Sequence, residues 1–79
     1  MTSLADLPAE ARAIVKVLPG APGLARRLVA LGLTPGTEVV VAQNRGHGPL
    51  IVEAHGARLA LGRGQAARVL VEPLVGVSE

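Results

Sequence analysis

Glycine and proline divide this chain into short segments, and that division limits its possible folds more than any other feature. Ten Gly and six Pro occur in 79 residues, well above the background of about one residue in eight. Hydrophobic residues make up 49% of the chain, which is far from the composition of disordered proteins. Because the chain is too short for two cores, we predict one domain over residues 1–79, built from short strands and turns.

Period-two alternation of apolar and polar residues predicts the strands. The pattern is clearest over residues 12–17, which are rich in β-branched side chains. Further strands are predicted over residues 38–43, 50–54, 58–61 and 68–72. Before them, Leu4 and Leu7 are expected to pack on the body from an extended lead-in. Pro73 is predicted to end the last strand, which leaves a core of residues 4–72 and a mobile tail of residues 73–79.

One amphipathic helix is predicted to begin at Pro22, because proline is well tolerated in the first helical turn. Leu24, Leu28 and Leu31 then recur at the spacing of one helical face. Gly32 can adopt the left-handed conformation that ends a helix. The sequence therefore predicts a helix that stops at this glycine.

Two local patterns predict the path of the chain after the helix. Leu33 is placed to pack back on Leu28, as in a Schellman ending. Residues 34–37 read Thr-Pro-Gly-Thr, the preference of a type II turn, because proline presets φ and glycine accepts positive φ. A strand is therefore expected to start at once. A second, brief helical or 3₁₀ segment is expected over residues 62–67.

Five short strands and one main helix predict a mainly β fold, a small antiparallel sheet that bends into a barrel, with the helix at one end. The chain has no Phe, Tyr or Trp, so its core must consist of aliphatic side chains. The predicted core comprises Leu7, Val15, Val17, Leu24, Leu28, Leu31, Leu33, Val39, Val41, Val52, Leu59, Leu61, Val69 and Val71.

The chain contains few residues of the types that commonly act in catalysis. There is no Cys and no Tyr, and Ser occurs only at Ser3 and Ser78, near the termini. Catalytic groups need close placement on rigid elements, which chain ends rarely provide. We therefore predict a protein that is not an enzyme and has no cofactor. No apolar run reaches the length of a membrane span and the start does not resemble a signal peptide, so we expect a soluble, unprocessed, cytoplasmic protein.

The two histidines offer weak candidates for a metal site. His47 lies in the hairpin loop and His55 follows the next strand, and eight extended residues between them span up to ~26 Å. Glu53 and His55 share a strand face, but two ligands are an incomplete site that a second chain would have to finish. The simpler interpretation is that both histidines are exposed at turns, and we predict no metal site.

Nucleic-acid binding is the alternative function that the composition suggests for a small barrel. Seven arginines are scattered along a chain whose net charge is +2. Binding of single strands relies on aromatic side chains that stack on bases, and this chain has none. We therefore predict no nucleic-acid partner, and interpret these arginines as solvated surface residues.

A surface for protein interaction is better supported. Ala25 and Val29 widen the apolar stripe of the helix beyond a single core contact. Residues 50–52 read Leu-Ile-Val, which breaks strand alternation and predicts one outward apolar side chain. Both features would be explained equally well if the chain's own tail or lead-in covered these apolar side chains, with no partner involved.

Residues 28–39, LVALGLTPGTEV, together with Arg26 and Arg27 before them, resemble the helix exit and strand entry of the FeoA family. The segments 4–8, 48–50, 56–61 and 66–71 follow the order and spacing of that family, so the resemblance covers residues 4–72. It implies an SH3-like barrel of about five antiparallel strands, a cytosolic accessory of bacterial ferrous iron uptake that works with the membrane GTPase transporter FeoB. FeoA-like domains also occur in DtxR-type repressors.

The resemblance also directs the search for a partner surface. We expect the helix face, with Ala25, Arg26 and Val29, to dock on FeoB and bias its transport state. The hairpin is expected to contribute Arg45, Leu50 and Ile51, and the protein to be a monomer or a weak homo-oligomer. Ala57 departs from the family, whose members often carry an aromatic ring there, so any contact of that ring is absent.

Overall fold

Strands that follow one another along the chain mostly pair as antiparallel neighbours, and the result is a single curled sheet. A computed structural model describes residues 1–20 and 22–74. Its strands are β1 (Thr2–Ser3), β2 (Arg12–Val17), β3 (Glu38–Gln43), β4 (Leu50–Ala54), β5 (Ala57–Leu61) and β6 (Leu70–Leu74). The sheet order is β1-β6-β2-β3-β4-β5. A 3₁₀ turn (Leu4–Asp6) and the helices α1 (Pro22–Ala30) and α2 (Arg63–Ala66) lie between strands.

The helix end has the hydrogen bonds that the sequence predicts. Gly32 has a φ of 91°, its N–H donates to the Val29 carbonyl at 2.9 Å, and the N–H of Leu33 donates to the Leu28 carbonyl at 2.9 Å. This is the pair of bonds that defines a Schellman ending. In the turn that follows, Gly36 has a φ of 95° and residues 34 and 37 are joined by a backbone bond of 3.0 Å, which confirms the type II turn.

The amino-terminal lead-in differs from the expected extended segment. Leu4 begins a 3₁₀ turn and is fully buried, and its N–H donates to the Val69 carbonyl at 2.8 Å. The two residues before it form β1, in which Thr2 lies opposite Val71. The described ranges therefore contain six strands rather than five. Leu7 is buried as predicted.

The last strand is shifted towards the carboxyl end. The turn after α2 continues to residue 69, whose N–H bonds the Ala66 carbonyl, so β6 starts at Leu70 rather than at Arg68. It then runs through Pro73, which lies opposite Ala13 of β2. A proline is tolerated there because β1 has already ended, so no strand on that side needs its N–H. Pro73 and Leu74 thus belong to the sheet; the rest of the predicted tail, 75–79, lies outside the described residues.

Most of the predicted core is buried, with two clear exceptions. Val17 is 42% exposed, because the pairing register of β2 shifts between Val15 and Val17 and such a bulge changes the direction of the side chains that follow. Leu31 is 37% exposed, since it follows the last residue of α1. Leu24 and Leu59 are only partly buried. Leu4, which was expected to pack on the body, is fully buried, and the buried apolar residues that the prediction missed are Ala13, Leu50, Ala54 and Ala66.

Candidate docking surfaces

Helix α1 turns one face away from the core, and this α1 outer face comprises Pro22, Gly23, Arg26, Arg27, Val29 and Ala30, all exposed. Leu28 is fully buried, whereas Val29 is 47% exposed. Arg26 and Val29 lie on the same side because residues three apart are separated by about 60° around a helix. Ala25 is half-buried at the border of this face. The predicted exposure of Arg26 and Val29 is confirmed.

The loop between β3 and β4, residues 44–49, is held by one asparagine. The Asn44 side-chain amide donates to the carbonyls of Ala5 at 3.0 Å and Leu7 at 2.7 Å. Its Oδ1 accepts from the N–H of Gly46 at 3.0 Å and from Arg63 Nη2 at 2.7 Å. Asn44 therefore joins the loop to the 3₁₀ turn and to α2.

Arg63 forms the second part of this polar cluster. Its Nε donates to the Gly48 carbonyl at 3.1 Å, and its Nη1 lies 3.5 Å from the Ala5 carbonyl. The asparagine was detectable from sequence, because Asn-x-Gly is a common turn pattern. Arg63 was not, since its partners lie 15 to 58 residues away.

The hairpin residues predicted for the partner surface have three different environments. Arg45 is exposed in the loop. Ile51 is half-buried on the outer side of β4, where it lies opposite Ala60. Leu50 has no exposed surface and belongs to the core, so its side chain is withdrawn from the partner surface. Of the three apolar residues at the break in alternation, Leu50 and Val52 are buried and Ile51 points outward.

The structure does not bring the helix part and the loop part of the predicted surface together. The carboxyl end of α1 lies against the β4–β5 turn, where His55 Nε2–H donates to the Gly32 carbonyl at 3.1 Å. The 44–49 loop precedes the opposite end of β4. A five-residue strand such as β4 is about 14 Å long, so the two patches are separate candidate sites.

Ion pairs occupy the surface of the sheet. Arg12 Nη1 lies 3.9 Å from Glu38 Oε2, and Lys16 Nζ lies 3.3 Å from Glu72 Oε1. Arg58 Nε donates to Glu53 Oε2 at 2.7 Å. Within the described ranges, each of these strand charges is therefore matched by an opposite charge.

The two weak metal candidates are engaged in other contacts. Glu53 accepts the bond from Arg58, and His55 bonds the Gly32 carbonyl at the end of α1. In residues 1–20 and 22–74, no three His, Asp or Glu side chains lie close enough together to hold a metal ion. Over the same residues, no helix has the length and apolar composition needed to cross a membrane.

The described residues form a small β fold with an exposed helix face, and comparisons with known proteins show the family of this fold. The family model described as the FeoA domain matches residues 2–73. A candidate Fe(2+) transport protein A of Methanocaldococcus jannaschii is 37% identical over 59 residues, which are 75% of this chain and 71% of that protein. The chain belongs to the FeoA family, whose proteins are associated with ferrous iron transport.

Solved structures show the same fold. A crystal structure of the iron uptake regulatory protein FeoA is 34% identical with a TM-score of 0.87, covering 92% of this chain and 97% of that one. The zinc complex of Stenotrophomonas maltophilia FeoA, described as an SH3 domain protein and a candidate ferrous iron transport activating factor, is 32% identical with a TM-score of 0.81 and covers 91% of both chains. The fold is therefore the SH3-like one predicted.

A manganese-dependent transcriptional repressor contains a similar domain. Its chain is 21% identical with a TM-score of 0.86, and the match covers 92% of this chain but 41% of the repressor. At this level of identity, the likeness shows the fold alone. The same small barrel thus also forms part of a larger protein.

Proposed function

We propose that this chain is a non-catalytic accessory protein of ferrous iron uptake that binds the cytosolic part of the transporter FeoB and modulates its transport state. The observation that supports it most is the α1 outer face, on a chain of the FeoA family. Val29 is 47% exposed there, next to exposed Ala30 and half-buried Ala25, so the face combines apolar side chains with the two arginines.

Binding without chemistry is what this surface can supply. Its side chains are aliphatic groups, which pack against a partner, and guanidinium groups, which donate hydrogen bonds to it. A bound protein shifts the equilibrium between two transporter states by the difference in its affinity for them. The proposal therefore requires that this chain bind one state of FeoB more tightly than the other, from the cytoplasmic side of the membrane.

An NMR titration tests the proposal and locates the contact. The ¹⁵N-labelled chain is titrated with the cytosolic GTPase domain of its cognate FeoB, with and without guanine nucleotide. Shifts concentrated on residues 25–30 are expected. Shifts concentrated on residues 44–51 would assign docking to the loop instead.

A second titration decides the case in which the isolated GTPase domain causes no shifts. It uses intact FeoB in lipid nanodiscs, which also presents the other cytosolic parts of the transporter. Loss of the NMR signals of the labelled chain on binding to the large nanodisc complex would support the proposal, with a contact site outside the GTPase domain. The absence of binding to intact FeoB in every nucleotide state would refute it.

A further inference from the structure

We propose that the α1 outer face recognises an acidic protein surface with an apolar recess for Val29. This inference deepens the proposed function and rests on it, since the partner is taken to be the cytosolic part of FeoB. Its basis is a difference between the sheet and the helix: charged side chains of the sheet form ion pairs, whereas the two arginines of α1 take part in none of the described ones.

The segment of the chain that contains α1 has no acidic residue. No Asp or Glu occurs between Glu10 and Glu38, a stretch that includes the whole helix. Arg26 and Arg27 are both exposed. The described residues contain three ion pairs, and neither of these arginines takes part in any of them. Within the part of the chain that the structure describes, the helix thus presents two positive charges that form no ion pair.

Among the other basic residues, Arg45 and Arg68 are also exposed and outside the three described ion pairs, but each is a single charge in its segment, whereas Arg26 and Arg27 are adjacent on one helix. Arg12, Lys16 and Arg58 each form an ion pair with a carboxylate on the sheet. Arg63 donates to backbone carbonyls and to Asn44. Since charges at interfaces are arranged to complement those of the partner, the unmatched arginines of α1 indicate a negatively charged surface opposite them.

The apolar part of the face favours a protein over other acidic partners. Val29 and Ala30 are exposed and lie beside the two arginines. Phosphate backbones offer no recess for an exposed valine. A membrane surface requires a helix with several bulky apolar or aromatic anchors, whereas the α1 outer face has one large aliphatic residue. A protein surface with carboxylates around an apolar recess matches both components.

Charge reversal with a matched control tests the inference. The affinity for the cytosolic GTPase domain of cognate FeoB is measured by calorimetry at low and high salt for wild type, Arg26→Glu, Arg26→Glu/Arg27→Glu and Arg68→Glu. Arg68 is also exposed and makes no described ion pair, so its reversal changes net charge as much as the single variant Arg26→Glu does. We expect the double variant to bind about tenfold more weakly, Arg68→Glu within about twofold of wild type, and wild-type binding to weaken with salt.

The outcomes separate the inference from the proposed function. Arg26→Glu is included because Arg27 lies in the last helical turn, where its reversal also opposes the helix dipole; circular dichroism checks that each variant is folded. If wild type binds and both α1 variants bind as tightly as wild type, the inference is overturned and the proposed function stands. If wild type binds neither this domain nor intact FeoB, the proposed function itself fails. Equal weakening by Arg68→Glu would show an effect of net charge and would also overturn the inference.

Discussion

At the scale of single residues, Asn44 shows how one side chain fixes a loop to distant parts of the chain. Its amide and carbonyl groups bond the backbone of Ala5, Leu7 and Gly46 and the guanidinium of Arg63. Removal of this amide would take the side-chain donor from the Leu7 carbonyl and leave the Ala5 carbonyl with only the longer contact to Arg63, and unsatisfied buried groups are costly. The conformation of the 44–49 loop therefore depends on this residue.

Asn44→Ala is expected to lower the free energy of unfolding by about 1–3 kcal/mol because these bonds are lost together. Urea denaturation measures the change. Arg45→Ala is the control, since Arg45 is exposed in the same loop and surface substitutions usually change stability by less than about 0.5 kcal/mol. Equal stability of the two variants would contradict the role assigned to Asn44.

Leu50 and Leu31 have the opposite burial to that predicted from sequence, which placed Leu31 in the core and Leu50 on the partner surface. Leu50 is fully buried and Leu31 is 37% exposed. Leu50→Ala is therefore expected to cost about 2–5 kcal/mol, through lost burial and the cavity left behind. Leu31→Ala should cost clearly less, because that side chain keeps contact with solvent. Thermal or urea unfolding of the two variants compares them directly, and a larger loss in Leu31→Ala would show that the burial described is wrong.

At the scale of elements, the end of α1 combines a local signal with a distant contact. Gly32 adopts a positive φ, which glycine alone tolerates without strain. A Cβ on this residue would lie 3.1 Å from His55 Cδ2. The glycine therefore serves both to end the helix and to admit the β4–β5 turn against it.

Two glycine-to-alanine substitutions are expected to change the free energy of unfolding differently. Gly32→Ala should lower the free energy of unfolding by about 1–2 kcal/mol, since an L-residue is strained at this φ. Gly23→Ala should leave it unchanged or raise it by up to about 1 kcal/mol, because Gly23 lies within α1 with no atom near its Cβ position. Denaturant titrations measure both, and a loss of stability in Gly23→Ala as large as that in Gly32→Ala would contradict this interpretation.

The elements also show what sequence could and could not predict. The helix end, the type II turn and β2 to β4 follow from residues close together in the chain, and they were predicted at their observed positions. The bulge that exposes Val17 and the continuation of β6 through Pro73 depend on which strands lie alongside. Period-two patterns do not contain that information, so these features required the structure.

At the scale of the whole molecule, the fold decides which candidate residues can act as one surface. Sequence correctly predicted the exposure of Arg26, Val29 and Arg45. It could not predict that α1 and the 44–49 loop lie towards opposite ends of β4, because the distance between them is set by the sheet. We propose the α1 outer face, rather than the 44–49 loop, as the partner-binding surface.

That assignment is tested most directly by two valine substitutions. Val29 on α1 is 47% exposed and Val17 on β2 is 42% exposed, so Val29→Asp and Val17→Asp add the same charge at similarly exposed sites. Affinity for the cytosolic domain of cognate FeoB is measured by calorimetry, with folding checked by circular dichroism. We expect at least about tenfold weaker binding for Val29→Asp, because this substitution places a carboxylate in the contact, and binding within about twofold of wild type for Val17→Asp. Unchanged binding by folded Val29→Asp, or equal weakening by both, would contradict that assignment.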